Sequence, residues 1–176
     1  MSPFKKTSLT AKEKLRPISG FPELLPEERR VELDWIDQIR TIFESYGFTS
    51  IEPRIVEPID VLLKQGDTDK EIYTLGRLLD TPNSDKEPTF GLHYDLTIPM
   101  ARYVAANMGK LDFPFKRYQI QKAWRGERPQ DGRFREFMQC DIDVVDTREV
   151  PLHFDVEIPA IMNQALASIN AGPVFT

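Results

Sequence analysis

The chain has 176 residues, 40% hydrophobic and 29% charged, with a formal net charge of -5 and a pI of about 5.2. That supports one hydrophobic core and about one domain, and it excludes an overall basic field, so any nucleic-acid contact must be a local patch. No apolar run approaches the roughly 18 residues of a membrane span, Met1-Ser2-Pro3-Phe4-Lys5-Lys6 lacks a signal-peptide core, and the single cysteine, Cys140, cannot form an internal disulfide. A cytoplasmic chain is expected, with no zinc-ligand spacing among its Cys and His residues and no protein-bound metal.

Residues 1–19 are polar and basic and read as a mobile N-terminal arm, after which Pro17, Pro22 and Pro26 keep the chain in loop. A helix is expected from Pro26, with Glu27 and Glu28 in a first turn whose dipole favours acids. Val31, Trp35, Ile39, Ile42 and Phe43 recur at helical spacing up to Gly47, as a stripe destined for core or interface. Phe48 to Pro53 is a predicted strand, Pro58 to Lys64 a short helix, and Gln65 to Thr81 a hairpin around Tyr73 and Leu75. Thr81 to Pro88 reads as a surface loop, Phe90 to Tyr94 as a strand. Thr97-Ile98-Pro99 leads into a helix carrying Met100, Tyr103, Val104 and Met108, with Asp95 and Thr97 at a junction that exposes backbone amides and side-chain oxygens to a cleft, although Thr97 taken alone reads as a helix cap. Past residue 144, Val150 to Ala167 is a helix candidate with Phe154, Ile158, Ile161 and Leu166 on its buried side and Pro159 as a potential kink.

Residues 113–144, FPFKRYQIQKAWRGERPQDGRFREFMQCDIDV, carry the most information. Tyr118, Ile120 and Trp124 interleave with Lys116, Arg117, Gln119 and Lys122, the pattern of a strand with one buried face. A turn at Pro129-Gln130-Asp131-Gly132 follows, and a second strand then sends Met138, Cys140, Ile142 and Val144 to one face and Phe137, Gln139, Asp141 and Asp143 to the other. Hairpin geometry brings Arg125 and Arg128 back over Arg133 and Arg135. Four guanidiniums, each permanently charged and offering a planar fork of donors, suit a phosphate-bearing ligand. A base could stack on Phe137 while Gln139 and Asp143 hold a cationic or polar ligand. Cys140 reads as a small buried residue, since nothing in the sequence pairs it with His93 or His153 as an activating base.

The run Trp124-Arg125-x-Glu127-Arg128-Pro129-Gln130-x-Gly132-Arg133-x-Arg135-Glu136-Phe137, followed by Gln139-x-Asp141-x-Asp143, resembles motif 2 of the class II aminoacyl-tRNA synthetases in the wording of the histidyl-tRNA synthetase family, with Trp124 in place of the usual phenylalanine. Leu92 to Arg102, LHYDLTIPMAR, is similar to that family's amino-acid-binding segment, and the helix and strand from Pro26 to Pro53 resemble its dimer-forming motif 1. The likeness runs from about Gly20 to the C-terminus; Ile18-Ser19-Gly20-Phe21-Pro22 departs from an Arg-Gly-Thr-like entry.

The resemblance implies an α+β fold, an antiparallel sheet flanked by helices, as part of a class II catalytic core over residues 20–176. It implies ATP-dependent activation of L-histidine to histidyl-adenylate and transfer to tRNA(His). Arg125 is then the catalytic residue on the α-phosphate, with Glu127, Arg133 and Phe137 also binding ATP; Asp95, Thr97, Gln139 and Asp143 bind histidine; Arg128 and Gln130 meet the tRNA acceptor end. Magnesium would arrive on the ATP phosphates, and a homodimer would form through motif 1. Motif 3, a second catalytic arginine and an anticodon-binding domain are not in this sequence, so an N-terminal fragment with weak or no aminoacylation of its own is expected. The rival is a histidyl-synthetase-like regulatory subunit that senses histidine for histidine biosynthesis.

Overall fold

A computed structural model describes residues 10–63, 71–76, 89–170 and 172. In chain order the elements are α1 (Ala11–Lys14), α2 (Pro26–Ser45), β1 (Thr49–Ser50), β2 (Val56–Pro58), α3 (Ile59–Leu62), β3 (Thr74–Leu75), β4 (Phe90–Leu92), α4 (Thr97–Asn107), β5 (Phe115–Trp124), β6 (Glu136–Val145) and α5 (Phe154–Ser168). They divide into two compact units, each assembled from separated stretches: Met1–Glu23, Arg54–Pro99 and Lys122–Phe137 in the first, Leu24–Pro53, Met100–Gln121 and Met138–Thr176 in the second.

The second unit is helix on sheet. Pro26 opens α2 where its missing N–H costs nothing, and the Glu28 carboxylate accepts from the Leu25 N–H at 2.8 Å, satisfying a donor just outside the helix. Gly47, at φ +79, takes the left-handed conformation that turns the chain out of the helix. Phe43 of α2 meets Tyr118 of β5, Ile142 of β6, and Ile161 and Ala165 of α5 in one core, with Phe48 beneath. Fully burying a side chain the size of Phe43 stabilises by roughly 1.5–3 kcal/mol. Ile51, Met100 and Val104 form a second cluster. β1 pairs in parallel with β5, Thr49 opposite Arg117 and Ser50 opposite Tyr118, and β6 lies on the other side of β5.

The first unit holds a small antiparallel sheet of order β2-β4-β3. Gly91 sits where it passes α3: a Cβ there would stand 2.9 Å from methyls of Ile59 and Ile72, so only glycine fits without repacking. α1 is one helical turn closed by a Thr10–Glu13 capping box, a device within the polar arm that composition did not reveal.

Several boundaries differ from expectation. The strand predicted over Phe48 to Pro53 pairs only at Thr49 and Ser50. Thr74 and Leu75 pair with β4; most of the hairpin expected over Gln65 to Thr81, and the whole Thr81 to Pro88 loop, lie outside the described residues. α5 begins at Phe154, four residues later than predicted, and Ala165 is buried in the core while Leu166 is only half-buried. Thr97 is the first helical residue of α4, not its cap. The largest correction concerns β5, which buries both faces: Arg117, Gln119 and Gln121 are as enclosed as Tyr118.

Candidate functional site

In the first unit, β5 and β6 lead into and out of the arginine-rich turn, and backbone bonds fix it. Arg125 N–H donates to Arg135 O at 2.9 Å, Gly126 N–H to Glu71 O at 2.7 Å, and Arg135 N–H to Gly20 O at 2.7 Å. Gly126 suits this approach, because a Cβ would stand 3.1 Å from the Glu71 carbonyl oxygen and the backbone there would have to give by a few tenths of an ångström. At the tip Gln130 and Arg133 bond reciprocally around Asp131-Gly132, with Gly132 at φ +76. The Glu136 carboxylate ties the strands at its base, accepting from Lys122 Nζ at 2.5 Å and Trp124 Nε1 at 2.8 Å. Partial burial works against its charge, but these two donors outweigh it and hold the carboxyl below the ordinary glutamate value.

Arg125 is half-buried and held by two contacts. Its Nε donates to the Tyr94 carbonyl at 3.0 Å, and its guanidinium lies 5.1 Å from the centroid of the Phe137 ring. Both Nη groups lack an acceptor among the described residues, which leaves a preorganised cation with its forked end available. Arg133 reaches Glu127 at 3.6 Å while remaining 68% exposed, a pairing worth at most about 1 kcal/mol. Arg128 and Gln130 are exposed on the same turn. Asp95 follows Tyr94 directly and its Oδ1 accepts from the Ile98 N–H at 3.4 Å, a weak cap of α4; Thr97 is exposed beside it. His93, fully buried, is hydrogen-bonded through Nε2 to Lys122 O at 2.7 Å and lies against Trp124; burial lowers its pKa and keeps it neutral.

In the second unit, Gln139 and Asp143 sit on one face of β6. Gln139 Nε2 donates to both oxygens of Asp141, at 3.1 and 3.2 Å, and its buried Oε1 has no partner among the described residues. Asp143 pairs with Arg117, whose side chain is wholly buried. Burial, with repulsion from Asp141, raises the Asp143 pKa despite the opposing pull of Arg117. Arg117 Nη1 donates to Gln119 Oε1, Gln119 to Gln121, and Gln121 to the Pro53 carbonyl. Cys140 lies on the opposite face of β6 in the apolar core, where burial first and then Asp141 push its thiol up to about 11; that makes it inert as a nucleophile near neutrality.

The turn brings Arg125 against Phe137 and Glu127 against Arg133, so the arginines meet an aromatic ring and a carboxylate rather than the facing arginines that the hairpin reading expects. What the sequence reading missed is the Arg117-Gln119-Gln121 row. Its one signal is a polar residue at every second position of a strand whose other face holds Tyr118, Ile120 and Trp124, which does not distinguish a solvated face from a covered one.

A family model described as histidyl-tRNA synthetase matches residues 20–174. Histidine--tRNA ligase of Thermobifida fusca is 57% identical over 160 residues, covering 91% of this chain and 36% of the relative; that of Cutibacterium acnes is 48% identical, covering 89% and 35%. The chain therefore spans about a third of the length of the curated relatives it matches. The crystal structure of histidyl-tRNA synthetase from Nostoc sp. PCC 7120 superposes with a TM-score of 0.77 at 42% identity, over 90% of this chain and 35% of that one. A structure from Bacillus halodurans, described as an ATP phosphoribosyltransferase regulatory subunit/histidyl-tRNA synthetase, shares the fold at TM-score 0.74 and 21% identity, over 90% and 39%. The α+β arrangement is consistent with a class II catalytic core.

Proposed function

The chain belongs to the histidyl-tRNA synthetase family, and we propose that it carries part of the catalytic apparatus of a cytoplasmic histidine–tRNA ligase. In that reading a carboxylate oxygen of L-histidine attacks the α-phosphorus of ATP, the bond to the β-phosphate bridging oxygen breaks, and pyrophosphate leaves. A ribose hydroxyl at the 3' end of tRNA(His) then attacks the acyl carbon of the resulting histidyl-adenylate, the acyl–phosphate bond breaks, and AMP leaves.

The observation that carries this reading is Arg125, a guanidinium immobilised by Tyr94 O and Phe137 with both Nη groups uncommitted among the described residues. Phosphoryl chemistry of this kind needs charge held in position more than covalent help, and a pre-fixed cation supplies that without reorganising. Arg125 is assigned to the α-phosphate and substrate carboxylate, Glu127 and Arg133 to ATP, and Phe137 to the adenine through the ring face that Arg125 leaves. Arg128 and Gln130, exposed at the turn, are assigned to the tRNA acceptor end. Asp95, Thr97, Gln139 and Asp143 are assigned to histidine by the family resemblance, since its ammonium and imidazole N–H groups call for acceptors. Magnesium enters with the ATP phosphates. Val31, Leu33 and Trp35 of α2, each 45–50% exposed, fit an interface with a second copy.

Histidine-dependent ATP–pyrophosphate exchange by the full-length gene product tests the reading: exchange that requires histidine and fails with other amino acids is expected. Histidine binding without ATP binding would favour a regulatory, histidine-sensing role instead. Intact Arg125, Glu127 and Arg133 weigh against that role, because a sensor has no use for phosphate contacts.

A further inference from the structure

Three polar side chains alternate along one buried face of β5, and their hydrogen bonds run in one direction. Gln121 Nε2 donates to the Pro53 carbonyl at 3.0 Å, Gln119 Nε2 to Gln121 Oε1 at 2.8 Å, and Arg117 Nη1 to Gln119 Oε1 at 3.3 Å. A backbone carbonyl can only accept, so Pro53 fixes the row from its far end. Gln121 must turn its amide nitrogen to Pro53 and its oxygen to Gln119, and Gln119 must then turn its oxygen to Arg117. The guanidinium is anchored through Nη1, its Nη2 is in ion-pair contact with Asp143 Oδ2, and its buried Nε has no hydrogen-bond partner among the described residues.

Exposure across this pair is lopsided. The Arg117 side chain is 0% exposed and that of Asp143 39%, so the cation is fixed inside and the anion stands open beside it. A guanidinium so deeply enclosed would be very costly without an anion, and it does not change its charge. Asp143 for its part has Asp141 two residues along the strand, and among the described residues only Arg117 opposes that repulsion. Gln139 tempers the repulsion by donating to both Asp141 oxygens. Without Arg117 the half-buried carboxylate would have neither a fixed direction nor a charge partner.

We propose that Arg117 is a positioning residue for amino-acid binding: steered by the Gln119–Gln121–Pro53 row, it holds the Asp143 carboxyl aimed, so that its oxygens receive a cationic or N–H group of the substrate. The inference rests on the histidine-ligase reading and deepens it. Arg117 itself touches no substrate.

The test compares the full-length gene product with R117M and R117K, measuring KM for histidine and for ATP in pyrophosphate exchange, with circular dichroism to confirm folding. R117M is expected to raise the histidine KM by about tenfold or more, as for the loss of a hydrogen bond to a charged group, while the ATP KM stays put. R117K, which keeps the charge but not the fork, should fall between R117M and the parent. A folded R117M whose histidine KM is unchanged, or whose two KM values rise together, would overturn the proposal. Should R117M not fold, R117K decides by the same split: a raised histidine KM alone supports it, and an unchanged one sinks it. A parent protein that neither binds nor activates histidine removes the ligase reading and this inference with it, an outcome separate from any result on the variants.

Discussion

Arg133, in the turn of the first unit, leaves 68% of its side chain exposed and meets Glu127 at 3.6 Å; Arg117, in β5 of the second unit, is wholly buried and paired with Asp143. The same guanidinium therefore answers two different needs. On the turn it stays hydrated and loosely paired, so an incoming polyanion can displace Glu127 at little cost. Within the sheet it has surrendered its hydration and depends on Asp143 and Gln119, so it can hold a neighbour in place but cannot reach out. Arg125 lies between these extremes: anchored at Nε and over Phe137, yet uncommitted at its forked end among the described residues. Arginine content alone does not locate a phosphate site. What matters is which nitrogens the fold has already used.

Four changes would break or sharpen this contrast. The largest effect is expected from Arg125→Gln, which keeps the side chain polar but removes the fixed charge. Histidine-dependent pyrophosphate exchange should fall by about 10²–10³-fold with the melting temperature nearly unchanged, and a rate within a few-fold of the parent would remove Arg125 from its assigned place. Next, Gly126→Ala drives a Cβ against the Glu71 carbonyl and should destabilise by about 1–3 kcal/mol in urea titrations; a neutral result would mean that the turn relaxes easily. Arg133→Gln should change stability by less than about 0.5 kcal/mol while raising the ATP KM by roughly threefold to tenfold, which separates a ligand contact from a structural one.

The smallest effect concerns His93. Burial sets its folded pKa below the unfolded value of about 6.5, so the unfolded chain binds the extra proton first. Stability from this group is complete above about pH 6.5 and declines as the pH falls below it. Chemical denaturation from pH 7.5 to 5 should show that decline, and His93→Gln should flatten it. An unchanged slope would trace the pH dependence to other groups.

Legibility in the sequence followed the same divide. The start and stop of α2 were readable because Pro26, the acids after it and Gly47 act locally, through φ and the helix dipole. The turn was readable because Asp131-Gly132 and its flanking arginines are contiguous. β5 shows why alternation falls short: it reports that two faces differ, not that both are covered, so Arg117, Gln119 and Gln121 look like a wet face although each is buried. Thr97 was mistaken for a cap because threonine suits that position, whereas it is Asp95 that accepts from the Ile98 amide. α5 was drawn too long because Val150 and Leu152 continue its apolar count while lying exposed ahead of the helix.

Each unit draws on chain stretches far apart in sequence, and that has a temporal consequence during synthesis. The first unit has all of its pieces once residue 137 has left the ribosome, whereas the second cannot close until α5, ending at Ser168, has followed. Until then α2 waits with Phe43 uncovered by Ile161 and Ala165. Contacts of such long sequence separation form slowly, so the nascent chain passes through an interval in which this helix is a natural target for chaperones.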